Sequence, residues 1–520
     1  MIMIALIAVR EKFTILVARL NNHLRQILSP AWLMLITAAL VMQVIFLWFI
    51  SGDQQHAVTQ AHGHVGYNFY KKNSIWMSPT LSYYVAAHPF YSVRGDPLTK
   101  LGSKRPACPP KLAKPEGLDK RRLGRTISPI SNTLFNFSTV RTQNFTDLSQ
   151  AFPVNDTVGY GVVLGLLWKL TGSLHYHDVQ ILQILLYLLS LVLVFQIAVM
   201  LFGSTSIAWW CLIAHLFFLP LIALNVQAVR DVWAYYGTVL LLWGVLRFLH
   251  GKNFLILVLC GIGVALCQWV RPTVFLAVLM VIGVLVLLVL LKRNSWRKIL
   301  ICISCLGATN LVIFWLPFMT YNKVAYNRLM VGPIGQDLLE GLGEFENPWG
   351  FELSDEFVAT FIGQKYQLQY GTPEFDDKAK EEFLIAYKQQ PSLYWRNIFK
   401  RLPNALLPGL PWLFPKESPF AGVHGWQAKI KAVVSSWSVF WDFMLRHVYI
   451  RLFLLLGYVG MAVALYRRNY VAVFLALAIM IGGLGKLPSH IEYRYLVPFY
   501  WVFSLWVGYL VAMFIPKQNT

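Results

Sequence analysis

The residues of this sequence that could do chemistry stand at the ends of its long apolar runs. In KLPSHIEYRYLVPFYW, residues 486–501, His490, Glu492 and Arg494 are followed directly by an aromatic run. A guanidinium grips phosphate oxygens in pairs through its planar fork, and a nearby carboxylate can orient it. Aromatic residues in such a run favour the headgroup level of a bilayer. The stretch therefore predicts one wall of a site for a lipid-linked phosphate.

Charged residues at the ends of other apolar runs extend this predicted site. Arg230 and Asp231 lie between two such runs, and Arg271 lies between the next two. One residue of this kind is usually a headgroup anchor or a snorkelling side chain. Several that reach one membrane face from separate segments are expected to hold an anion together. The predicted phosphate-binding residues are Arg230, Arg271, His490, Glu492 and Arg494.

A carboxylate that could act as a general base follows the first apolar run. Asp53 stands in WFISGDQQHAV, residues 48–58, where a helix would leave the membrane. A partly desolvated carboxylate at that depth can accept a proton from a hydroxyl group, although a plain helix cap would need the same residue type. Asp231 is the second catalytic candidate, as a residue that positions the acceptor.

The sequence predicts no metal ligand set. The histidines at 56, 62 and 64 lack a clear carboxylate partner pattern, so they are interpreted as surface residues. Cys302 and Cys305 have CxxC spacing, but small soft residues are ordinary packing material in membrane helices. Phosphate is a good leaving group once its charge is neutralised, so the predicted chemistry requires no cofactor, with a divalent metal as the alternative.

The positioning elements are predicted to be membrane helices. Of 520 residues, 57% are hydrophobic and only 13% are charged, unlike a soluble globular chain. Apolar runs of roughly 20 residues, long enough to cross a bilayer, recur about ten times. The predicted spans are 32–50, 178–202, 205–225, 232–249, 253–270, 272–291, 299–319, 448–466, 469–486 and 495–515. The shorter run 159–170 is predicted to be an interfacial or re-entrant helix. The expected fold class is an all-α polytopic membrane protein.

The basic loops predict the orientation of these spans. The N-terminal 31 residues and several short loops carry Lys and Arg, which favour the cytoplasmic side of a bacterial inner membrane. The net charge of +21 is largely explained in this way, without a nucleic-acid partner. Two long segments then face outside, and the last spans follow them. The predicted divisions are a cytoplasmic N-terminus 1–31, a first span 32–50, an outer loop 51–157, a re-entrant helix and bundle 158–319, a second outer loop 320–446 and C-terminal spans 447–520.

The two outer loops differ in charge. The first contains the basic, proline-rich tract Lys104–Arg125, which would suit anionic headgroups or an acidic glycolipid, or would simply be solvated. The second is acid-rich over 337–382, so the two loops are expected to dock against each other. Within the second, 341–350 is predicted to be a structured loop and 379–402 an amphipathic helix broken at Pro391.

The order of these pieces resembles the GT-C glycosyltransferases, in particular the bacterial group similar to family 39 and to the dolichyl-phosphate-mannose-protein mannosyltransferases. The resemblance lies in a Gly-Asp exit at 52–53, DTVGYGVVLGLLWKLTG at 156–172, a helix ending in LFG at 201–203, an Arg-Pro at 271–272 and HIEYRYLVP at 490–498. The prolines that flank Gly-Tyr in that family are absent around Gly159 and Tyr160, and the tract 104–125 is foreign to its pattern.

This resemblance implies an inverting transferase. It would move a sugar, a hexose or a pentose, from a polyprenyl-phosphate donor to a lipid, glycan or protein acceptor at the outer face. Asp53 would be the base by that likeness. Two alternatives stay open: a polymerase or ligase of surface glycans with a polyprenyl-diphosphate donor, and a transporter or flippase of an anionic lipid. A transporter is expected to show paired halves and ionisable groups near the midplane.

Overall fold

A computed structural model gives the architecture of the chain. It describes residues 29–50, 76–77, 152–153, 159–172, 177–227, 229–251, 253–291, 296–326, 328–329, 334–368, 373–408, 444–491 and 493–515. Asp53, Glu492, the histidines at 56, 62 and 64, Cys108 and the tract 104–125 lie outside these residues.

The described chain is almost entirely helical. The apolar helices before the second long loop are α1 (Pro30–Ile50), α2 (Gly159–Thr171), α3 (His177–Phe202), α4 (Thr205–Leu216), α5 (Leu219–Asn225), α6 (Trp233–Gly251), α7 (Phe254–Val270), α8 (Val274–Leu290), α9 (Trp296–Asn310) and α10 (Leu316–Tyr326). The helices of the second long loop are α11 (Ile334–Leu342), α12 (Asp355–Tyr366), α13 (Pro373–Gln389) and α14 (Pro391–Leu406). The last apolar helices are α15 (Ile450–Tyr466), α16 (Tyr470–Gly483), α17 (Tyr493–Tyr500) and α18 (Val502–Phe514). Two strands of two residues each, β1 (Trp76–Met77) and β2 (Phe152–Pro153), pair antiparallel.

Several helix limits match the sequence prediction and two predicted spans are broken. The span predicted at 205–225 bends by 59° between α4 and α5, and the span predicted at 495–515 bends by 42° between α17 and α18. A proline lies close to each break: Pro220 is the second residue of α5, and Pro498, near the end of α17, cannot donate a helical hydrogen bond. The predicted helix at 159–170 is observed as α2.

By length and apolarity alone, three described helices could cross a membrane, and up to five if each bent pair is one span. Shorter apolar helices of 10–17 residues accompany them, among them α7, α8, α15 and α16. These features are those of a membrane protein. The number of spans, their orientation and the divisions of the chain stay predictions.

Small residues allow the apolar helices to approach closely. A Cβ on Gly508 of α18 would meet the backbone of Cys211 in α4, and a Cβ on Gly460 of α15 would meet the backbone of Trp506. Membrane helices usually gain packing energy through close backbone contact at small residues, because the hydrophobic effect does not drive helices together in a lipid that is equally apolar. The helices form one large apolar cluster that includes Trp501 and Trp506, both fully buried.

The helices α11 to α14 build a second, smaller core, which we call the outer subdomain (residues 334–408) after the predicted outer loop that contains it. Leu339, Phe357, Phe375 and Phe383 lie in this core. The predicted loop at 341–350 is confirmed in part: α11 ends at Leu342, and Asn347 closes the following turn, since its Oδ1 accepts from the N–H of Phe351 at 2.9 Å. The predicted break at Pro391 is also confirmed, because α13 ends at Gln389 and α14 begins at the proline.

Candidate functional site

A buried ion pair joins two of the predicted site residues. Arg271 Nη2 lies 3.0 Å from Asp231 Oδ1, and both side chains are almost fully buried. Arg271 is the residue after α7, with extended backbone (φ −140°, ψ 97°). Because the next residue is Pro272, the helical conformation is disfavoured at Arg271, so the chain turns at this point. The arginine is therefore held at the mouth of the bundle by its own sequence context.

Two glutamines of α3 support the turn that carries Asp231. Gln180 Nε2 donates to the carbonyl of Val226 at 2.7 Å, and Gln183 Nε2 donates to the carbonyl of Val229 at 3.1 Å. These carbonyls belong to the segment between α5 and the one-turn 3₁₀ helix Arg230–Val232. Buried carbonyls outside a helix need such donors. The glutamines thus fix the segment from which Arg230 and Asp231 emerge.

Cations from three parts of the chain surround the ring of Tyr495 in α17. The guanidinium carbon of Arg271 lies 4.8 Å from the ring centroid and that of Arg494 lies 5.0 Å from it. Lys486 Nζ is 5.8 Å from the same centroid. Arg494 also donates to the Tyr495 hydroxyl at 3.1 Å. We call Arg230, Asp231, Arg271, Lys486, Arg494 and Tyr495 the arginine–tyrosine cluster.

The charges of this cluster favour an anion. Arg230 is repelled by Arg271 and by Arg494 and attracted by Asp231. Like charges that share a poorly hydrated site cost free energy. A phosphate group that enters among them offsets this repulsion and accepts hydrogen bonds from the guanidinium groups.

Beside this cluster lies a group of side chains that could hold a cation. Asp337, Glu340 and His490 each offer a ligand atom, and these atoms lie within 4.8 Å of one another. His490 Nδ1 is 4.0 Å from Glu340 Oε2, and Gln336 donates to the other Glu340 oxygen at 2.8 Å. The ammonium group of Lys486 forms an ion pair with Asp337 and so already supplies positive charge there.

Arg401 of α14 connects the outer subdomain to this region. The side chain is fully buried, and its Nε donates to Glu344 at 2.6 Å. Its Nη1 donates to the carbonyls of Leu487 at 3.2 Å and Pro488 at 3.3 Å, and its Nη2 donates to the carbonyl of Gly341. One guanidinium therefore ties the end of α11 to the segment that precedes His490.

The structure brings most of the predicted site residues to one place. The arginine–tyrosine cluster contains four of them: Arg230, Asp231, Arg271 and Arg494. The ring of His490 packs edge-to-face against that of Tyr495, with the ring centroids 5.7 Å apart. Asp53 and Glu492 lie outside the described residues, so their roles stay predictions. The acid-rich loop was expected to meet the basic first loop. In the described part of the chain Asp337 and Glu340 contact Lys486 and His490, whereas only residues 76–77 and 152–153 of the first loop are described, so docking of the two loops stays a prediction.

Sequence reasoning did not single out four residues that organise the site. Tyr495 and Lys486 lie inside the stretch first examined, but a tyrosine among aromatics and a lysine at a span end carry no special signal. Glu340 was one of many acids in its loop, and Arg401 was one basic residue on an amphipathic helix. Their importance comes from contacts between residues far apart in sequence, such as the 86 residues that separate Arg401 from Leu487 and the 149 that separate Lys486 from Asp337.

Comparison with known proteins adds little to this picture. No protein-family model matches the sequence, and no curated protein matches it. Among solved structures, the oligosaccharyltransferase of Archaeoglobus fulgidus in complex with zinc and sulfate is similar over 70% of this chain, with 11% identity and a TM-score of 0.39. The match spans 41% of that enzyme's chain. A superposition this weak does not define the fold or the activity of the protein.

Proposed function

We propose that the protein is a membrane glycosyltransferase that takes a sugar from a polyprenyl-phosphate donor and transfers it to a hydroxyl-bearing acceptor. The observation that supports this most directly is the arginine–tyrosine cluster. It places the guanidinium groups of Arg271 and Arg494 over one ring, with Arg230 in electrostatic contact with both arginines. A lipid phosphate presents its charge at that depth while its chain stays in lipid.

In this proposal Arg271 and Arg494 hold the donor phosphate. Negative charge grows on the leaving phosphate oxygen as the bond to the sugar breaks, and preorganised guanidinium groups stabilise that charge. The planar fork also sets the direction of the phosphate, which a lysine ammonium cannot do. Arg230 adds charge from the side of the α5–α6 segment.

Asp231 fits a positioning role better than that of a base. Its carboxylate is buried and lies 3.0 Å from Arg271, so it aligns the guanidinium and shields it from its cationic neighbours. Because this carboxylate is engaged by the guanidinium of Arg271, it is not available to take a proton from the acceptor hydroxyl. The acceptor's proton is assigned to Asp53, on the sequence prediction alone.

The proposal is tested by comparing surface glycolipids and glycans by mass spectrometry with and without the gene. Loss of one sugar identifies donor and acceptor together. The purified protein in liposomes is then supplied with radiolabelled polyprenyl-phosphate sugar and acceptor lipid extract. Arg271→Ala is expected to abolish transfer. Arg297→Ala, which removes an exposed cation at the start of α9, at the other end of the bundle, is the matched control and should keep activity.

The alternatives give different outcomes in the same liposomes. A flippase moves labelled lipid between leaflets without forming a new glycosidic bond. A polymerase or ligase uses the diphosphate-linked donor and leaves the monophosphate-linked donor unconsumed. Either result, or an unchanged glycan profile after gene loss, rules out the proposed reaction.

A further inference from the structure

The helix α14 carries two opposed faces. Leu393, Asn397, Arg401 and Ala405 follow one another at intervals of four and are all buried against the rest of the protein. Trp395 and Phe399 lie on the opposite side of the helix, and the exposed fractions of their side chains are 51% and 68%. Residues four apart share one helix face, so these two aromatic side chains form a single exposed apolar stripe. Arg396 and Lys400, both exposed, each follow one of the aromatic residues.

The end of α14 is fixed in the helix bundle. Tyr500 of α17 donates through its hydroxyl to the carbonyl of Ala405, and the Tyr458 hydroxyl of α15 donates to the carbonyl of Leu406 at 3.1 Å. Leu407 then packs against the large apolar cluster. The helix that carries the exposed stripe therefore passes from the outer subdomain into the bundle.

The height of the stripe follows from helix geometry. Phe399 precedes Ala405 by six residues, about 9 Å of helix, and Trp395 precedes it by ten residues, about 15 Å. Arg494 precedes Tyr500 by six residues, also about 9 Å. Measured along their helices from the contact between Tyr500 and Ala405, Phe399 and Arg494 are therefore about equally distant, and Trp395 lies about 6 Å farther along α14. The headgroup region on each side of a bilayer is about 5 to 7 Å deep.

We propose that Trp395 and Phe399 insert into the headgroup layer of the membrane, and that Arg396 and Lys400 contact its lipid phosphates. Tryptophan and phenylalanine beside basic residues are the composition of an interfacial helix face. The occupant of this stripe is the lipid surface itself, because the helix that bears it continues directly into the bundle. The contact sets the height of the outer subdomain above the arginine–tyrosine cluster, and it does not depend on the proposed reaction.

Spin labels test this contact. The described cysteines are all buried, and Cys108 is replaced by serine. Single cysteines are introduced as Trp395→Cys and Phe399→Cys, labelled, and studied in nanodiscs of phosphatidylethanolamine and phosphatidylglycerol. Glu381→Cys on α13 is the matched water-exposed control from the same subdomain. Val459→Cys on α15, beside the Tyr458 that bonds to the end of α14 and with a native side chain that is 50% exposed, is the lipid-facing control.

The readout is the ratio of collisions with dissolved oxygen to collisions with a water-soluble nickel chelate. Labels at 395 and 399 are expected to give ratios between those of the two controls, with 399 nearer to the lipid-facing one. Ratios equal to that at 381 place the stripe in water and overturn the proposal. Protection from both reagents shows that another part of the protein covers the stripe. Dipolar broadening between labels shows that a second copy covers it, and either finding also overturns the proposal.

Discussion

Replacing Asp231 by asparagine should have opposite effects on stability and on anion binding. The change removes one charge from a buried pair whose nearest atoms are 3.0 Å apart. At that distance and an effective dielectric of about 20, the Coulomb attraction is about 5 to 6 kcal/mol. Desolvation of the two charges offsets much of this attraction in the intact pair. Breaking a buried pair on one side leaves the other charge uncompensated, and that typically costs about 3 to 5 kcal/mol.

We therefore expect Asp231→Asn to lower the free energy of unfolding by about 3 to 5 kcal/mol when the site is empty. A polyprenyl phosphate should restore more stability to this variant than to the wild type. The reason is that the variant has the same arginines and one fewer carboxylate to repel the phosphate. The measurements are unfolding in mixed micelles titrated with SDS, with and without a short-chain polyprenyl phosphate.

A double-mutant cycle isolates the pair. If the ion pair is the cause, Arg271→Gln in the Asp231→Asn background should recover part of the lost stability. Asp377→Asn is the control, since Asp377 pairs with Arg328 at 2.5 Å but both are more than one-third exposed; exposed pairs contribute about 1 kcal/mol or less. Strictly additive losses at Asp231 and Arg271, or weaker phosphate stabilisation of the Asn variant, would refute this account of the site.

Four further results are expected. Arg494→Lys should weaken donor binding although the charge is kept, because an ammonium lacks the planar fork; an unchanged KM and kcat would leave Arg494 as an interfacial anchor. Asp53→Asn should preserve donor binding and lower turnover by about 10²- to 10⁴-fold, whereas a helix cap would tolerate asparagine. Burial raises the pKa of Asp376 from 3.8 to about 6, so the subdomain should lose stability as pH rises from 3.8 to 6, and Asp376→Asn should flatten that loss in pH-dependent unfolding. Gly341→Ala places a methyl group against the backbone of Ser489, so limited proteolysis should detect a loosened outer subdomain, and an unchanged digestion pattern would contradict the docking described.

Helix positions could be predicted from the sequence because apolar runs are a local signal. The limits of α3, α6, α7 and α8 fall within two residues of the predicted spans. The bends at the α4–α5 and α17–α18 junctions were missed, although proline marks each one. A span prediction sums hydropathy over a window, and two short helices at an angle give the same sum as one long helix.

The arginine–tyrosine cluster could be predicted in part for a different reason. Arginines at span ends are visible in sequence, and span ends on one predicted membrane face are expected to meet; Arg271 and Arg494 do lie against one ring. The position of the Tyr495 ring against both arginines was not predicted, because several neighbouring aromatic residues could equally have taken it. The buried His215 in α4 was also missed. It contacts the hydroxyls of Ser504 at 3.0 Å and Tyr235 at 2.9 Å, a polar link between helices that hydropathy conceals.

One short segment, residues 486–495, contributes three residues to the arginine–tyrosine cluster and also holds the outer subdomain in place. Lys486 pairs with Asp337 of α11, and the carbonyls of residues 487 and 488 accept from Arg401 of α14. A few residues later, Arg494 and Tyr495 face Arg271 of the bundle. A ligand that binds Arg494 therefore acts on the same backbone segment, residues 486–495, that contacts the outer subdomain. Binding at the cluster and docking of the subdomain are thus expected to be coupled, and linkage requires each to strengthen or weaken the other by the same factor.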